Sequence, residues 1–178
     1  IVPNLHPARR LVGGGSNGAH AIGILTGLPG GEFQKRFSSY FLWEGGYTLR
    51  DPKALTGQHL LICWWDKSLK PRLAPLAAQA KATKVDTETI EMAGVGHEFP
   101  AEYYPKFRDW IQRKVLYFGL EEASAALDAS MKACRWGASC QALRDVLDCA
   151  DDTCPQWPKA QDALKSAIAE ANAKGTTI

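Results

Sequence analysis

The feature that most limits how this chain can fold is the run His59–Trp65, HLLICWW, which is apolar at every position after the first and rich in β-forming residues. A strand with one wet face alternates apolar and polar residues. A strand without alternation must be covered on both sides, as central strands of parallel sheets are. Three further segments have β character: Arg10–Val12, Ser39–Trp43 and Thr87–Met92. Between the strands lie helix-like stretches. AHAIGILTGL is small and apolar and ends at Leu28-Pro29-Gly30-Gly31, and LAPLAAQAKA is short and amphipathic. Residues 47–57 read as a loop or short helix. After the last strand, Phe107, Trp110, Ile111, Val115 and Phe118 fall on one face at helical spacing. Strand alternating with helix predicts an α/β fold with a partial, doubly wound parallel sheet.

After Gly119 the texture changes. Residues 121–134, 138–150 and 158–172 read as three alanine-rich helices, with Gly137 and Pro155 as breakers. The last carries an apolar stripe of Ala160, Ala163, Leu164, Ala167, Ile168 and Ala171. The expected organisation is an α/β portion at 1–118 and a small all-helical appendage at 119–178.

Four of the five cysteines, Cys134, Cys140, Cys149 and Cys154, crowd into the appendage. Such clustering predicts two disulfides and an extracytoplasmic, secreted or periplasmic, location. Three pairings are open, and the local pairs 134–140 and 149–154 need the least chain rearrangement. Free thiols are one alternative and a zinc site another, but the spacing C-x5-C-x8-C-x4-C lacks the C-x2-C knuckles usual for zinc. Cys63, inside the apolar run, is expected to be a buried free thiol. A net charge of +2 gives no electrostatic reason to expect nucleic acid or a membrane surface as partner. No run of 18 apolar residues is present to span a membrane, and no signal-peptide pattern is found. The chain opens at Ile1 without methionine, as a processed, trimmed or fragmentary product would.

Two motifs carry chemistry. Gly14-Gly15-Ser16-Asn17-Gly18 is a G-x-S-x-G between a strand and a helix. In that context the turn is sharp, its neighbours must be small, and the serine hydroxyl is lifted to a helix N-terminus. There backbone N–H groups can hold an oxyanion, the Asn17 N–H among them. The same stretch, Gly13-x-Gly15-x-x-Gly18, also fits a dinucleotide fingerprint. That reading needs an acid about 20 residues on, and Glu44 lies 31 positions after Gly13. The second motif, Gly94-Val95-Gly96-His97, follows a strand and precedes an amphipathic helix. It puts a histidine on the sheet edge where α/β folds bind ligands, and a dinucleotide site has no use for it.

Together these motifs give the run Leu11–Leu116, about 60% of the chain, a resemblance to the second half of α/β-hydrolases of the esterase, lipase and thioesterase type. The resemblance implies Ser16 as nucleophile and His97 as its general base, with no metal and no organic cofactor. The family usually draws its acid from just after the strand before the histidine loop, often as G-x-x-D. In Trp64-Trp65-Asp66-Lys67-Ser68 a gapless match puts Ser68 in that slot, and Asp66, two residues earlier, is the expected acid. Glu44, at the end of the preceding strand, is the alternative. Trp43, Trp64 and Trp65 end strands and are candidates to line an acyl pocket; the alternative is that they cap the core. The implied activity is cleavage of carboxylic esters or thioesters through an acyl-serine intermediate, on a small-molecule or acyl ester substrate. The family also has several strands before the elbow, and only about ten residues precede it here. A second polypeptide is therefore expected to supply the N-terminal half of the sheet. A catalytically incomplete binding or assembly subunit is the rival function, and a dinucleotide-binding domain a weaker one.

Overall fold

A computed structural model describes residues 9–65, 69–93, 97–133, 137–147 and 155–175. Four strands form one parallel sheet: β1 Leu11–Gly15, β2 Ser39–Trp43, β3 His59–Trp65 and β4 Asp86–Met92, in the order β1-β2-β3-β4. The protein is thus mixed α/β. β2 and β3 have the bounds their apolar patterns predict. β1 runs further than expected, through three glycines, because all five of its residues keep register with β2, Gly15 opposite Trp43.

Pleating divides the strand residues between two faces. Tyr40, Leu42, Leu60, Ile62 and Trp64 form one core with helices α1 (Asn17–Thr26) and α2 (Lys70–Ala82), through Ala19, Ile22, Leu73, Leu76, Ala77 and Ala80. Full burial of each large aliphatic side chain is worth about 1.5–3 kcal/mol, and this cluster anchors β2 and β3. α2 starts earlier than its apolar pattern suggests, since Pro71 sits in the first turn, where a missing N–H forfeits no helical bond. On the other face Phe41 meets Phe107 of α3 (Tyr104–Ile111), their ring centroids 4.4 Å apart.

The chain divides into two compact units, 1–110 and 111–178, a division that falls before the expected boundary at 118/119. In the second unit residues Gln112–Leu116 form a π turn, closed by Tyr117 N–H donating to the Gln112 carbonyl at 2.8 Å. The wider turn shifts the 3.6-residue phase. Val115 is buried, but Phe118, expected on the apolar face, is 51% exposed. Helices α4 (Leu120–Lys132), α5 (Gly137–Leu147) and α6 (Trp157–Ala173) follow, close to their expected ranges. Leu127, Cys140, Leu143, Ala167 and Ala171 lie at the centre of their shared core. No helix among the described residues is long and apolar enough to cross a membrane.

Candidate active site

The C-terminal ends of β1, β2 and β3 gather the candidate residues. β1 stops at Gly15 and α1 starts at Asn17, so Ser16 alone makes the turn, at φ 49° and ψ −116°. An L-residue avoids that region because its Cβ meets the flanking backbone. The turn is held from outside by the Ser16 N–H, which donates to the Trp43 carbonyl at 2.8 Å and prolongs the β1–β2 ladder by one rung. It is made possible by Gly14, where a Cβ would lie 2.5 Å from the Gly18 carbonyl carbon and 2.8 Å from the Ala19 nitrogen. The second glycine of the motif is different: a Cβ on Gly18 would meet open space. Ser16 is half-buried, and its hydroxyl makes no capping bond to α1. The first-turn N–H groups of α1, including that of the exposed Asn17, thus have no side-chain cap, and the hydroxyl is not spent on one.

Three histidines are described. His20 accepts the Gly46 N–H through Nδ1 at 3.1 Å and holds the loop after β2. His59 is buried, with Nδ1 2.9 Å from the Asp86 carboxylate at the N-terminal ends of β3 and β4. His97 differs from both. Its ring is exposed and touches two indoles, stacking on Trp43 at 5.7 Å and 19° and meeting Trp65 edge-on at 5.6 Å and 85°. It therefore lies over the ends of β2 and β3. Among the described residues it makes no hydrogen bond to Ser16. Catalytic contacts of this kind are often loose until substrate binds.

Glu44 follows β2 directly and is 3% exposed, with φ 51°. Burial pushes its carboxyl above the ordinary range, while the Trp65 N–H, which donates to Oε1 at 2.5 Å, and the nearby His97 pull it down. The signal for this in the sequence is an acid next to a strand end, followed by two glycines.

Trp43 and Trp65 share the His97 face. Trp64, expected beside them, points the other way, because successive strand residues alternate, and it is buried in the core with α1 and α2. Asp66 and the motif residues Gly94, Val95 and Gly96 lie outside the described residues, as do Cys134, Cys149 and Cys154. Cys63 is the expected buried free thiol, and burial pushes its pKa up. Cys140 departs from expectation: it is a free, buried thiol and not half of a disulfide, packed as a small apolar side chain among the α4–α6 residues. No group of three or more His, Cys, Asp or Glu side chains among the described residues is arranged to hold a metal ion.

Among the described residues the strand order 1-2-3-4 contains no reversal of the kind at which dinucleotides bind in open α/β sheets. The buried Glu44 carboxylate, bonded to the Trp65 N–H, is poorly exposed for a ribose hydroxyl. Comparison with family models, curated proteins and solved structures returned no match.

Proposed function

We propose that this protein is a serine hydrolase of the α/β-hydrolase type that cleaves carboxylic esters or thioesters through an acyl-serine intermediate. The observation that carries the reading is the backbone of Ser16. A serine held at φ 49°, between a parallel strand and a helix N-terminus, has a strain that an ordinary glycine-rich loop has no reason to keep. Ser16 Oγ attacks the acyl carbon as its proton passes to His97. The oxyanion collects negative charge and is met by the Asn17 N–H at the start of α1. Collapse expels the alcohol or thiol, which takes the proton back from His97. Water then repeats the sequence and frees the acid. The sequence favours Asp66 as the acid that orients His97. Burial, position and electrostatic contact with His97 favour Glu44, and Glu44 is the acid proposed here. A fluorophosphonate probe tests the reading: it should label Ser16 in the native protein and fail to label Ser16→Ala. Absence of labelling in the intact native assembly would leave the incomplete binding or assembly subunit as the better reading.

One observation bears on assembly. β1, which carries the elbow, is an edge strand of the described sheet, and Ile24 and Leu25 of α1 and Leu28 just after it are 57%, 37% and 51% exposed. An open edge and exposed apolar side chains favour further strands, from a longer form of this chain or from a second polypeptide, that continue the sheet past β1 and supply the second oxyanion donor. Light scattering on native material tests this; a well-behaved 19.5 kDa monomer with full esterase activity would refute it.

A further inference from the structure

We propose that Trp43 is a positioning residue, which fixes the His97 imidazole relative to Ser16, and not a wall of the acyl pocket. The proposal rests on the serine-hydrolase reading above. Three contacts of this one residue carry it. Its carbonyl accepts the Ser16 N–H at 2.8 Å, which ties β2 to the strained turn. Its indole lies across Gly15, close enough that a Cβ there would collide with the Cε3 edge of the ring. The same indole stacks on His97 at 5.7 Å, nearly parallel. Trp43 therefore touches the nucleophile through its backbone and the base through its ring.

The need for such a residue follows from where His97 sits. The ring is exposed, it has no hydrogen bond among the described residues, and it stands within the connection from β4 to α3. A general base must hold its nitrogen within hydrogen-bond reach of the serine, and a displacement of about 1 Å can cost about a hundredfold in rate. Stacking on Trp43 fixes the plane of the imidazole, and the edge-on Trp65 limits its sliding within that plane. The Trp43 ring is itself held: Phe99 meets it edge-on at 5.9 Å, and Gly15 gives it room to lie flat against β1. Gly15 thus serves the same arrangement from the other strand. A side chain there would push the indole off its seat and carry His97 with it.

The test uses the full chain, p-nitrophenyl acetate as substrate, and two readouts. Trp43→Leu should lower kcat by about 10–100-fold and leave KM nearly unchanged, since it misplaces the base without removing a substrate contact. Trp43→Phe, which keeps an aromatic face, should recover most of that loss. Gly15→Ala should lower kcat by about tenfold in the parent and by less in Trp43→Phe, where the smaller ring leaves space for the methyl, so the two changes should couple. If Trp43→Leu does not fold, this cycle decides the matter. The second readout needs no turnover: in Ser16→Ala, the His97 ring protons should carry indole ring-current shifts, and Trp43→Leu should remove the Trp43 part and leave that of Trp65. A raised KM with unchanged kcat would make Trp43 a substrate contact and overturn the proposal, as would unchanged kinetics or unmoved His97 protons. If Ser16→Ala retains turnover, the hydrolase reading falls and takes this one with it. If Ser16→Ala is inactive while Trp43→Leu keeps full kcat, positioning alone falls.

Discussion

The strain at Ser16 makes a prediction that separates a nucleophile elbow from a glycine-rich loop without any substrate. At φ 49° and ψ −116°, the serine occupies a region that glycine enters freely and L-residues enter at a cost of about 1–3 kcal/mol. Ser16→Gly removes that cost from the folded state. It also loosens the unfolded chain, which takes back about 0.5–1 kcal/mol. Ser16→Ala keeps the Cβ and so keeps the strain. Since the hydroxyl makes no capping bond, its loss in either variant should matter little to folding. Ser16→Gly should therefore be more stable than Ser16→Ala by about 1 kcal/mol, or about 4–8 °C in Tm for a domain near 100 residues. Both variants should be inactive. Urea titration followed by circular dichroism, with both variants at one pH, reads the difference. If Ser16→Gly is the less stable of the two, as it would be at an unstrained strand or helix position, the elbow argument is wrong.

Five further outcomes follow, four from the same site and one from the helical unit. Ser16→Ala should abolish hydrolysis of an activated ester with an unchanged circular dichroism spectrum, and His97→Ala should lower turnover by about three orders of magnitude or more; full activity in either variant removes that residue from the mechanism. Glu44→Gln should damage turnover more than Asp66→Asn, and the reverse order in a side-by-side assay would return the acid to Asp66. The Glu44 carboxyl is raised chiefly by burial, so the folded state holds its proton more tightly than the unfolded one. Stability present at low pH is then lost as pH climbs through the folded value. Glu44→Gln, whose amide oxygen can still accept the Trp65 N–H, should accordingly gain stability over the parent at neutral pH and not below the carboxylate range; urea midpoints at both pH values check the sign. Alkylation of the denatured, unreduced chain followed by peptide mass mapping should modify Cys140 as well as Cys63, and protection of Cys140 would mean that it is disulfide-bonded after all.

What the sequence determined by itself was local. The unbroken apolarity of His59–Trp65 and the β-rich Ser39–Trp43 set the bounds of two strands, since a run with no polar alternation has few other ways to be satisfied. The glycines around Ser16 forecast a strand-to-helix turn, which the backbone bears out at Gly14 but not at Gly18. The appendage helices were legible from alanine content and breakers. Everything that depends on which segments meet was decided by tertiary structure. β1 continues through Gly13–Gly15 because β2 pairs with it and the Phe41 and Trp43 rings lie over those glycines; propensity alone would end the strand earlier. Trp64 and Trp65 are adjacent in sequence and belong to opposite faces, one in the core and one beside His97. Cys140 looks like a staple in a cysteine count and is a core side chain in the packed helices. Glu44 looks like a turn residue, until the sheet sets it beneath the Trp65 N–H and within the field of His97. Periodicity and turn chemistry act over a few residues. Strand order, the face a side chain presents and the field at a carboxylate are sums over contacts far apart in sequence, and they exist only once the chain has folded.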